Sequence, residues 1–324
     1  MIKIKSKMKI KNGALRRAFQ FDVGCWLLVA GCVFCFRSAP AATLTLTPSA
    51  DTTMIEVAPT NSNGAQDFFN SGTTQNGTRN RGLLRFNLSS LPTNSVIRSA
   101  AFVVSVVKLP AEPPAAAPFS LHRMLRNWGE GTNVASLNIG QGSPAKLGDA
   151  TWTHAQFNTN AWAGPGGVPG ADFAAFESGS AFIYDTGGSP YTLGPTAELA
   201  ADVQDWVQNH ASNFGWMFLC DDEATRFTAK RFGARENSNP DARPQLVLNY
   251  LIPPHVDHAE FYGAYFVLGF RAEAGHSYAV EYRDALDGGA WQTLASLGLF
   301  STTTQAIFLD PATQPKRFYR LNAY

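Results

Sequence analysis

The sequence predicts an all-β protein of two modules, and three observations support this expectation. Charged residues make up only 16% of the 324 residues and aromatic residues 12%, and the chain contains 28 glycines and 19 prolines. Short runs rich in Val, Ile, Phe and Thr are separated by Gly, Pro, Asn and Ser, as in strands joined by tight turns. We therefore expect a β-sandwich with one short helix, followed by a smaller β-sandwich.

Residues 1–41 have the three parts of a secretory signal peptide. Seven Lys and Arg residues precede residue 18, an uncharged apolar run of 14 residues spans 23–36, and Ala39 and Ala41 form a small-residue cleavage site. The apolar run is shorter than the roughly 20 residues that a spanning helix needs. These features predict a secreted protein that retains no transmembrane span after cleavage of the leader.

A second interpretation of the leader stays open. Residues 29–32, Val-Ala-Gly-Cys, resemble the lipobox of bacterial lipoproteins, in which the cysteine carries a lipid anchor. The apolar run continues past this cysteine, whereas a lipobox cysteine is normally followed by polar residues. The alternative location is therefore a membrane surface to which the protein is anchored through Cys32.

Loss of the leader changes the charge of the chain. Residues 1–41 hold eight Lys and Arg and one acidic residue, so the remainder carries 18 basic and 24 acidic residues and a net charge of −6. A mildly acidic chain is not expected to bind nucleic acid through bulk electrostatics. Three of the four cysteines also lie in the leader. Cys220 therefore has no intrachain disulfide partner, and we expect a buried, unreactive thiol.

Nine runs predict the strands of the larger module, which we place at residues 42–251. The run 97–107 is long and almost wholly apolar, so we expect a central strand buried on both faces. Leu199, Val203 and Trp206 recur with helical spacing and predict the single helix, with Trp206 in the core. The predicted strands are 43–47, 53–57, 82–88, 97–107, 119–125, 181–184, 214–219, 227–234 and 245–251.

A long Gly-rich segment, residues 143–190, interrupts the predicted strands. Loops of this length are uncommon in compact domains and are often functional. We expect Trp152 to cover the sandwich, whereas Trp162 either covers it or forms part of a ligand platform.

Pro253 and Pro254 divide the chain, because proline removes a backbone donor and fixes its own φ. We expect a linker at residues 252–257 and a separate small β-sandwich at 258–324. Its predicted strands are 264–271, 277–283, 291–294, 305–309 and 317–321.

The block 78–87, Thr-Arg-Asn-Arg-Gly-Leu-Leu-Arg-Phe-Asn, places three arginines along one short apolar strand. Strand side chains alternate, so we expect Leu84 and Phe86 on a core face and Leu83 and Arg85 on an outer, charged face. Arginine binds carboxylates through two parallel hydrogen bonds, which makes a uronate-containing polysaccharide the expected partner. The candidate ligand-binding arginines are Arg79, Arg81, Arg85, Arg123 and Arg126.

Alternatives to these binding roles stay open. The arginines can instead pair inside the fold with Glu56, Glu130 and Asp149, because residues 42–250 hold 13 basic and 17 acidic groups. Trp162, and after it Trp128, are candidates for stacking on sugar rings, against burial as the usual fate of tryptophan in a β-core.

One residue is a candidate metal ligand. Asp51, with Glu56 or a later carboxylate, is expected to contribute to a structural Ca²⁺ site if there is one, since calcium takes six to eight oxygen ligands. The His-Val-Asp-His run at 255–258 has no third histidine or cysteine at ligand spacing, so we expect no metal there. No other cofactor is expected.

The sequence gives no reason to expect an enzyme. It contains no G-x-S-x-G, no H-E-x-x-H and no P-loop. Glu130 and Glu177 are available for glycoside cleavage, but nothing singles them out. A lyase acting on acidic glycans through Tyr184, Tyr191 and His154 is the least favoured alternative.

Several motifs follow one another in order along residues 44–250: Asp51, 81–87, 91–92, 97–100, 128–130, 151–152, Trp162 with 165–167, 202–206, 213–215, 232–236 and 244–246. This ordered set resembles the DNRLRE-domain family, which is also classed with carbohydrate-binding module family 96. The resemblance implies a jelly-roll-like β-sandwich on secreted or surface proteins, some of which bind acidic polysaccharide such as alginate. This chain departs from the family at Asn80, where the family has an acidic residue, and at Asn87, where it often has Asp.

The C-terminal part carries a second resemblance. Residues 317–320, Arg-Phe-Tyr-Arg, together with residues 278–281 and Trp291, are similar to a small module at the C-terminus of secreted bacterial proteins. This resemblance implies a fibronectin-like β-sandwich with no activity of its own.

Together these features predict a secreted or cell-surface, non-catalytic polysaccharide-binding protein, with acidic glycans as the expected ligands. The alternative is a structural or adhesive spacer that binds no small ligand.

Overall fold

A computed structural model of the chain describes residues 27–29, 32–34, 42–110, 114–285, 290–311, 313 and 316–323. The basic start of the leader and its cleavage site lie outside these residues. The chain divides into two compact units, residues 42–250 and a second unit that contains residues 251–324. Strands make up 46% of the structure and helix only 8%, which confirms the predicted all-β class.

The strands of the described residues are numbered here in chain order. They are β1 (Leu27–Val29), β2 (Cys32–Phe34), β3 (Ala42–Leu46), β4 (Pro48–Ile55), β5 (Asn61–Ser62), β6 (Phe68–Thr73), β7 (Arg79–Phe86), β8 (Val96–Val104), β9 (Val106–Lys108), β10 (Ala117–Arg123), β11 (Ser143–Pro144), β12 (His154–Gln156), β13 (Asn160–Ala161), β14 (Gly179–Ile183), β15 (Tyr191–Leu193), β16 (Trp216–Cys220), β17 (Lys230–Gly233), β18 (Gln245–Leu251), β19 (His255–Tyr262), β20 (Tyr265–Ala272), β21 (Tyr278–Arg283), β22 (Gln292–Leu297), β23 (Thr304–Pro311) and β24 (Phe318–Ala323).

Two sheets form the body of the 42–250 unit. The larger has eight strands, in the order β14-β10-β16-β7-β6-β17-β9, with β4 also paired to β7, and the smaller has the order β15-β8-β18-β3. Side chains from both sheets meet in one apolar core. Four phenylalanines, Phe69, Phe119, Phe218 and Phe232, lie in its centre with ring centroids 4.9 to 5.8 Å apart. Such aromatic pairs each add about 0.5–1.5 kcal/mol beyond the area they bury.

The predicted helix is confirmed as α1, Ala197–Gln208. It begins at Thr196, whose hydroxyl accepts a hydrogen bond from the N–H of Leu199 at 3.1 Å, as an N-cap residue does. The helix packs against β8 and buries its apolar stripe, and the ring of Trp206 lies 4.5 Å from that of Trp216. Trp206 is therefore a core residue, as expected.

The long predicted strand 97–107 is two strands. In β8 the residues Ala100, Phe102 and Val104 are fully buried, but Arg98 is exposed and Val103 only half-buried. The expectation of burial on both faces is therefore wrong, because only one face of the smaller sheet is covered. At Ser105 the chain passes to the other sheet, where β9 pairs with β17.

The opposite correction applies to β7, which was expected to expose one charged face. A second apolar cluster lies on that face and includes Met54, Leu83, Trp128 and Trp152. Much of this cluster comes from the Gly-rich segment 143–190, so Trp152 covers the sheet as predicted. A long loop with little secondary structure of its own has thus become an outer layer, and β7 is buried on both faces.

Residues 251–324 form their strands in two sheets, each antiparallel within this part of the chain. One has the order β19-β20-β23, and in the other β21 lies between β22 and β24. In the second sheet β24 also pairs in parallel with β2 at Phe34 and Tyr319. Phe266 and Tyr319 stack in the interior with ring centroids 4.4 Å apart. Because β19 begins at His255, the segment between the last strand of the first unit and β19 is residues 252–254, shorter than the linker expected at 252–257.

Within the described residues, no helix is both long and apolar enough to cross a membrane.

Candidate functional site

The predicted ligand-binding arginines of β7 are engaged inside the fold. Arg79 forms a two-bonded ion pair with Glu56, with N–O distances of 2.5 and 3.0 Å. Arg81 does the same with Glu223 at 2.6 and 2.7 Å, and its second terminal nitrogen donates to the carbonyl of Gly166 at 2.8 Å. Arg81 is only 9% exposed. It therefore fastens the outer-layer loop to the sheet rather than presenting charge to solvent.

The other three candidates have internal partners as well. Arg123 contacts Asp205 at 2.8 Å and Asp202 at 3.4 Å. Arg126 pairs with the fully buried Asp172 at 3.0 Å. Arg85 donates to the side chain of Asn127 at 3.0 Å, and its guanidinium lies 5.2 Å from the ring centre of Trp128.

The described residues therefore favour the alternative of internal pairing over a shared cationic face. The partners differ in part from those expected: Glu56 is one of them, but Glu130 pairs with Arg235. Asp149 accepts hydrogen bonds from Ser62 and Asn133. Sequence spacing could not reveal these pairs, because Arg81 and Glu223 are 142 positions apart.

The tryptophans proposed for sugar stacking are core residues. Trp162 is 5% exposed and Trp128 only 1%. Each indole N–H donates to a backbone carbonyl, that of Thr151 at 2.9 Å and that of Phe214 at 2.7 Å. With both faces of the rings packed, neither residue can stack on a ligand, and the expectation for Trp162 is wrong for this reason.

Asp51 lies in a carboxylate cluster that already contains a cation. Its Oδ2 accepts from the backbone N–H of Arg235 at 2.9 Å. The guanidinium of Arg235 bridges Glu130 and Glu236 at 2.7 and 2.8 Å. No group of three His, Cys, Asp or Glu in the described part of the chain is arranged to hold a metal. The arginine takes the position between the carboxylates, so these residues do not fit a Ca²⁺ ion.

Burial raises the pKa of Asp51 well above its usual value, with smaller contributions from Glu236 and Glu130. Since the folded state favours the protonated acid, ionisation lowers stability as the pH rises above the unfolded pKa. We expect Asp51→Asn to gain stability relative to the wild type between pH 4 and pH 7. Thermal unfolding of both proteins at the two pH values measures this gain, and a difference that is the same at both would contradict it.

Ser120, His122 and Asp221 were not recognised as a group from the sequence, although they are the residue types of a hydrolytic triad. The Ser120 hydroxyl lies 3.0 Å from Nε2 of His122 and donates to Asp221. The carboxylate thus contacts the serine, not the histidine, whose Nδ1 faces the carbonyl of Ala174. Ser120 is also completely buried. The three residues are therefore not hydrogen bonded in the serine–histidine–carboxylate order of a catalytic triad, and a substrate cannot reach the buried hydroxyl.

A cleft of about 250 Å³ lies where β6, β17 and β9 run side by side. Asn70 of β6 pairs with Arg231 of β17, which in turn pairs with Lys108 of β9. Directly opposed residues point to the same face of a sheet, so these three side chains form one polar row. The cleft is lined by Asn70, Thr74, Asn80, Lys108, Leu109, Pro110, Gly140, Ala229, Lys230 and Arg231.

Gly72 allows the strands around the cleft to approach closely. It pairs with Asn80 and adopts a φ of +106°. A Cβ atom at this position would lie 2.6 Å from the carbonyl oxygen of Thr228. Only glycine combines this backbone conformation with this contact, so the sequence of β6 sets the width of the site.

The cations of the cleft lack the carboxylate partners that Arg79, Arg81, Arg123 and Arg126 have. Among the described residues, neither Arg231 nor Lys108 makes an ion pair, and Arg231 stacks on Phe68 with 4.1 Å between guanidinium and ring centre. Lys230 is 1% exposed, and its amine donates to the carbonyls of Ala115 and Thr228 at 2.7 and 3.2 Å. Burial lowers the pKa of Lys230 to about 8 and also lowers the pKa of Arg231.

Two asparagines of the cleft also lack internal partners. Asn70 and Asn80 are 7% and 5% exposed, and no side-chain hydrogen bond joins either amide to another described residue. The Oδ1 atom of Asn80 is buried without a partner. An unsatisfied buried polar group costs about 1–3 kcal/mol. The unpaired asparagine of the cleft therefore lowers the free energy of unfolding of the protein.

Positions that break folding rules without compensation tend to be functional. In the sequence, Asn80 stands out only as a departure from a family pattern, and Lys230 and Arg231 lie in a predicted strand, 227–234. The available signal was the Lys-Arg pair inside a run otherwise expected to be apolar. A one-dimensional pattern could not show that Lys108 and Asn70 lie beside it.

No protein-family model matches the chain and no curated relative was found for it, so the resemblance to the DNRLRE-domain family stays a prediction.

Proposed function

We propose that the protein is an exported, non-catalytic binding protein whose 42–250 unit holds an acidic polysaccharide in the cleft between β6, β17 and β9. The observation that carries the proposal is the pair of cations Lys108 and Arg231, which line the cleft and have no carboxylate partner among the described residues. Elsewhere in the unit the predicted arginines are neutralised by carboxylates or hydrogen bonded in the fold. The cleft is where an external carboxylate supplies the missing charge.

The size and lining of the cleft fit part of a sugar chain. Sites that enclose drug-sized ligands have volumes of about 300–1,000 Å³, so a cleft of about 250 Å³ accommodates about one sugar unit. The guanidinium of Arg231 lies 4.1 Å from the ring centre of Phe68, and its planar donor edge is suited to a carboxylate. Leu109 and Pro110 provide apolar surface for the C–H face of the ring.

Export supports a polysaccharide as the partner, because extracellular acidic glycans are the carboxylate polymers that a secreted protein meets. The signal-peptide pattern of residues 1–41 and the family resemblance both point in this direction, and both remain sequence-based predictions. Secretion is tested by expressing the full chain in a bacterial host and sequencing the N-terminus of the released protein. Retention of the protein with a lipid on Cys32 would favour the anchored alternative.

Binding is tested by affinity electrophoresis in gels that contain alginate, pectin or a neutral glucan. We expect retardation by at least one of the acidic polymers and none by the glucan. The Lys108→Met/Arg231→Met double variant should lose at least about tenfold in affinity, since each charged hydrogen bond contributes about 1.5–3 kcal/mol. The Arg98→Met/Lys146→Met double variant removes the same charge from exposed positions outside the cleft lining and should be retarded like the wild type.

The alternative function is a structural or adhesive spacer. It is favoured by the internal pairing of Arg79, Arg81 and Arg123 and by the burial of Trp162, which remove the predicted binding surface. Migration of the wild type unaffected by every acidic polymer, or equal losses in the two double variants, would favour this alternative over a binding cleft.

A further inference from the structure

The side-chain amides of Asn70 and Asn80 lie in the same cleft as the cations, and they impose a second chemical requirement on the ligand. Asn80 is 95% removed from solvent, lines the cleft, and makes no side-chain hydrogen bond to another described residue. Asn70, one strand away, is 7% exposed, and its side chain makes no hydrogen bond to another described residue. Neither amide is needed to bind the carboxylate of the ligand, because Lys108 and Arg231 already attract it.

We propose that Asn80 is the specificity-determining residue of the cleft and selects a carboxylate that also carries hydroxyl groups, as a hexuronate ring does. This inference rests on the proposed function and names the ligand unit more closely. An amide offers both a donor and an acceptor, so it can bind a hydroxyl group in either direction. A simple anion satisfies Arg231 and Lys108 but leaves both amides unpaired.

A hydroxylated ligand unit is energetically favoured over a bare anion in this cleft. A site built to hydrogen bond a hydroxyl group discriminates strongly against an analogue without it, because its buried polar atoms then stay unpaired. No hydrogen bond to another described residue fixes the Asn80 amide, and rotation about its last side-chain bond exchanges the oxygen and nitrogen positions. The side chain can therefore present the atom that a given hydroxyl group needs.

The stability of a variant separates this role from a structural one. A residue kept for packing loses stability when replaced, whereas an unpaired buried amide replaced by an apolar group of similar shape is neutral or stabilising. We expect Asn80→Leu to unfold at the same urea concentration as the wild type or at a higher one. A lower midpoint would show that the amide supports the fold and would overturn the assignment.

Ligand-observed NMR with three small probes tests the selectivity of the full chain. The probes are D-galacturonate, acetate as a carboxylate without hydroxyl groups, and D-galactose as a neutral hydroxylated ring. We expect the wild type to prefer galacturonate to acetate by about tenfold or more, the effect of one or two hydrogen bonds. Asn80→Leu should lose this preference and keep its affinity for acetate, whereas Arg231→Met should lose affinity for both acids.

The outcomes separate the inference from the proposed function. If acidic polysaccharide retards the wild type but Asn80→Leu and Asn80→Ala keep the full preference for galacturonate, Asn80 does not set specificity and only the inference fails. If neither galacturonate nor any acidic polysaccharide binds the wild type, the proposed function fails and the inference with it. Preference lost in both Asn80 variants, with acetate binding unchanged, supports the assignment.

Discussion

Asp202→Ala is expected to destabilise the 42–250 unit by about 3–5 kcal/mol, the loss typical of removing one partner of a buried charged network. Asp202 lies on α1 and is 8% exposed. Its Oδ2 accepts hydrogen bonds from the Ser178 hydroxyl at 2.6 Å and from the indole N–H of Trp216 at 2.8 Å. Alanine leaves both donors unpaired in the core and removes one of the two carboxylates that contact Arg123.

Asp205→Ala is the matched control for this prediction. Asp205 lies on the same helix and pairs with the same Arg123 at 2.8 Å, but its side chain is 60% exposed. Exposed ion pairs contribute about 0–1 kcal/mol, so this variant should unfold close to the wild type. Urea denaturation measures both free energies of unfolding, and equal losses for the two variants would contradict the role given to burial.

Lys230→Met is expected to change how the stability of the unit depends on pH. Burial lowers the pKa of Lys230 from 10.5 to about 8, so the folded state disfavours the charged amine. The resulting cost is fully present below pH 8, decreases as the pH rises towards 10.5 and vanishes above it. A shift of this size corresponds to about 3 kcal/mol. The wild type should therefore gain about that much relative to Lys230→Met between pH 7 and pH 10.5.

The slope with pH is a cleaner measure than the stability at one pH. Methionine removes the buried charge but also leaves the carbonyls of Ala115 and Thr228 without their donor, and these effects oppose each other at pH 7. Lys108→Met is the control, because it also replaces a lysine of this sheet by methionine but at an exposed position, where no buried amine is removed. Parallel stability curves for the wild type and Lys230→Met would show that the Lys230 amine is not desolvated.

Helices and strands could be predicted from the sequence where a local pattern of residues determines them. The helix was recognisable because Leu199, Val203 and Trp206 recur with a helical period, and 245–251 coincides with β18. The strand β6, Phe68–Thr73, was missed because its last four residues, Asn-Ser-Gly-Thr, are typical of a turn, although the whole strand is buried. The run 97–107 looked continuous because no breaking residue marks Ser105, where the chain changes sheets.

The candidate functional site could be predicted less well, because it depends on contacts between residues that are far apart in the sequence. The arginines of β7 were recognised, but only the fold shows that Glu223 and a loop carbonyl at Gly166 take up Arg81. Alternation placed one face of β7 outside, and it could not foresee that residues from 143–190 would cover that face. The cleft forms only where β6, β17 and β9 lie side by side in the sheet, and these strands are far apart in the sequence. What distinguishes it is a set of charged side chains without partners, which the sequence alone does not show.

The most direct test of the binding cleft is hydrogen–deuterium exchange of the full chain with and without alginate or pectin oligosaccharides. We predict slower exchange on binding at residues 70–74, 106–110 and 229–231, with no change in the strands between residues 265 and 311. Slower exchange confined to other parts of the chain, in a sample where binding is demonstrated, would contradict the placement of the site in this cleft.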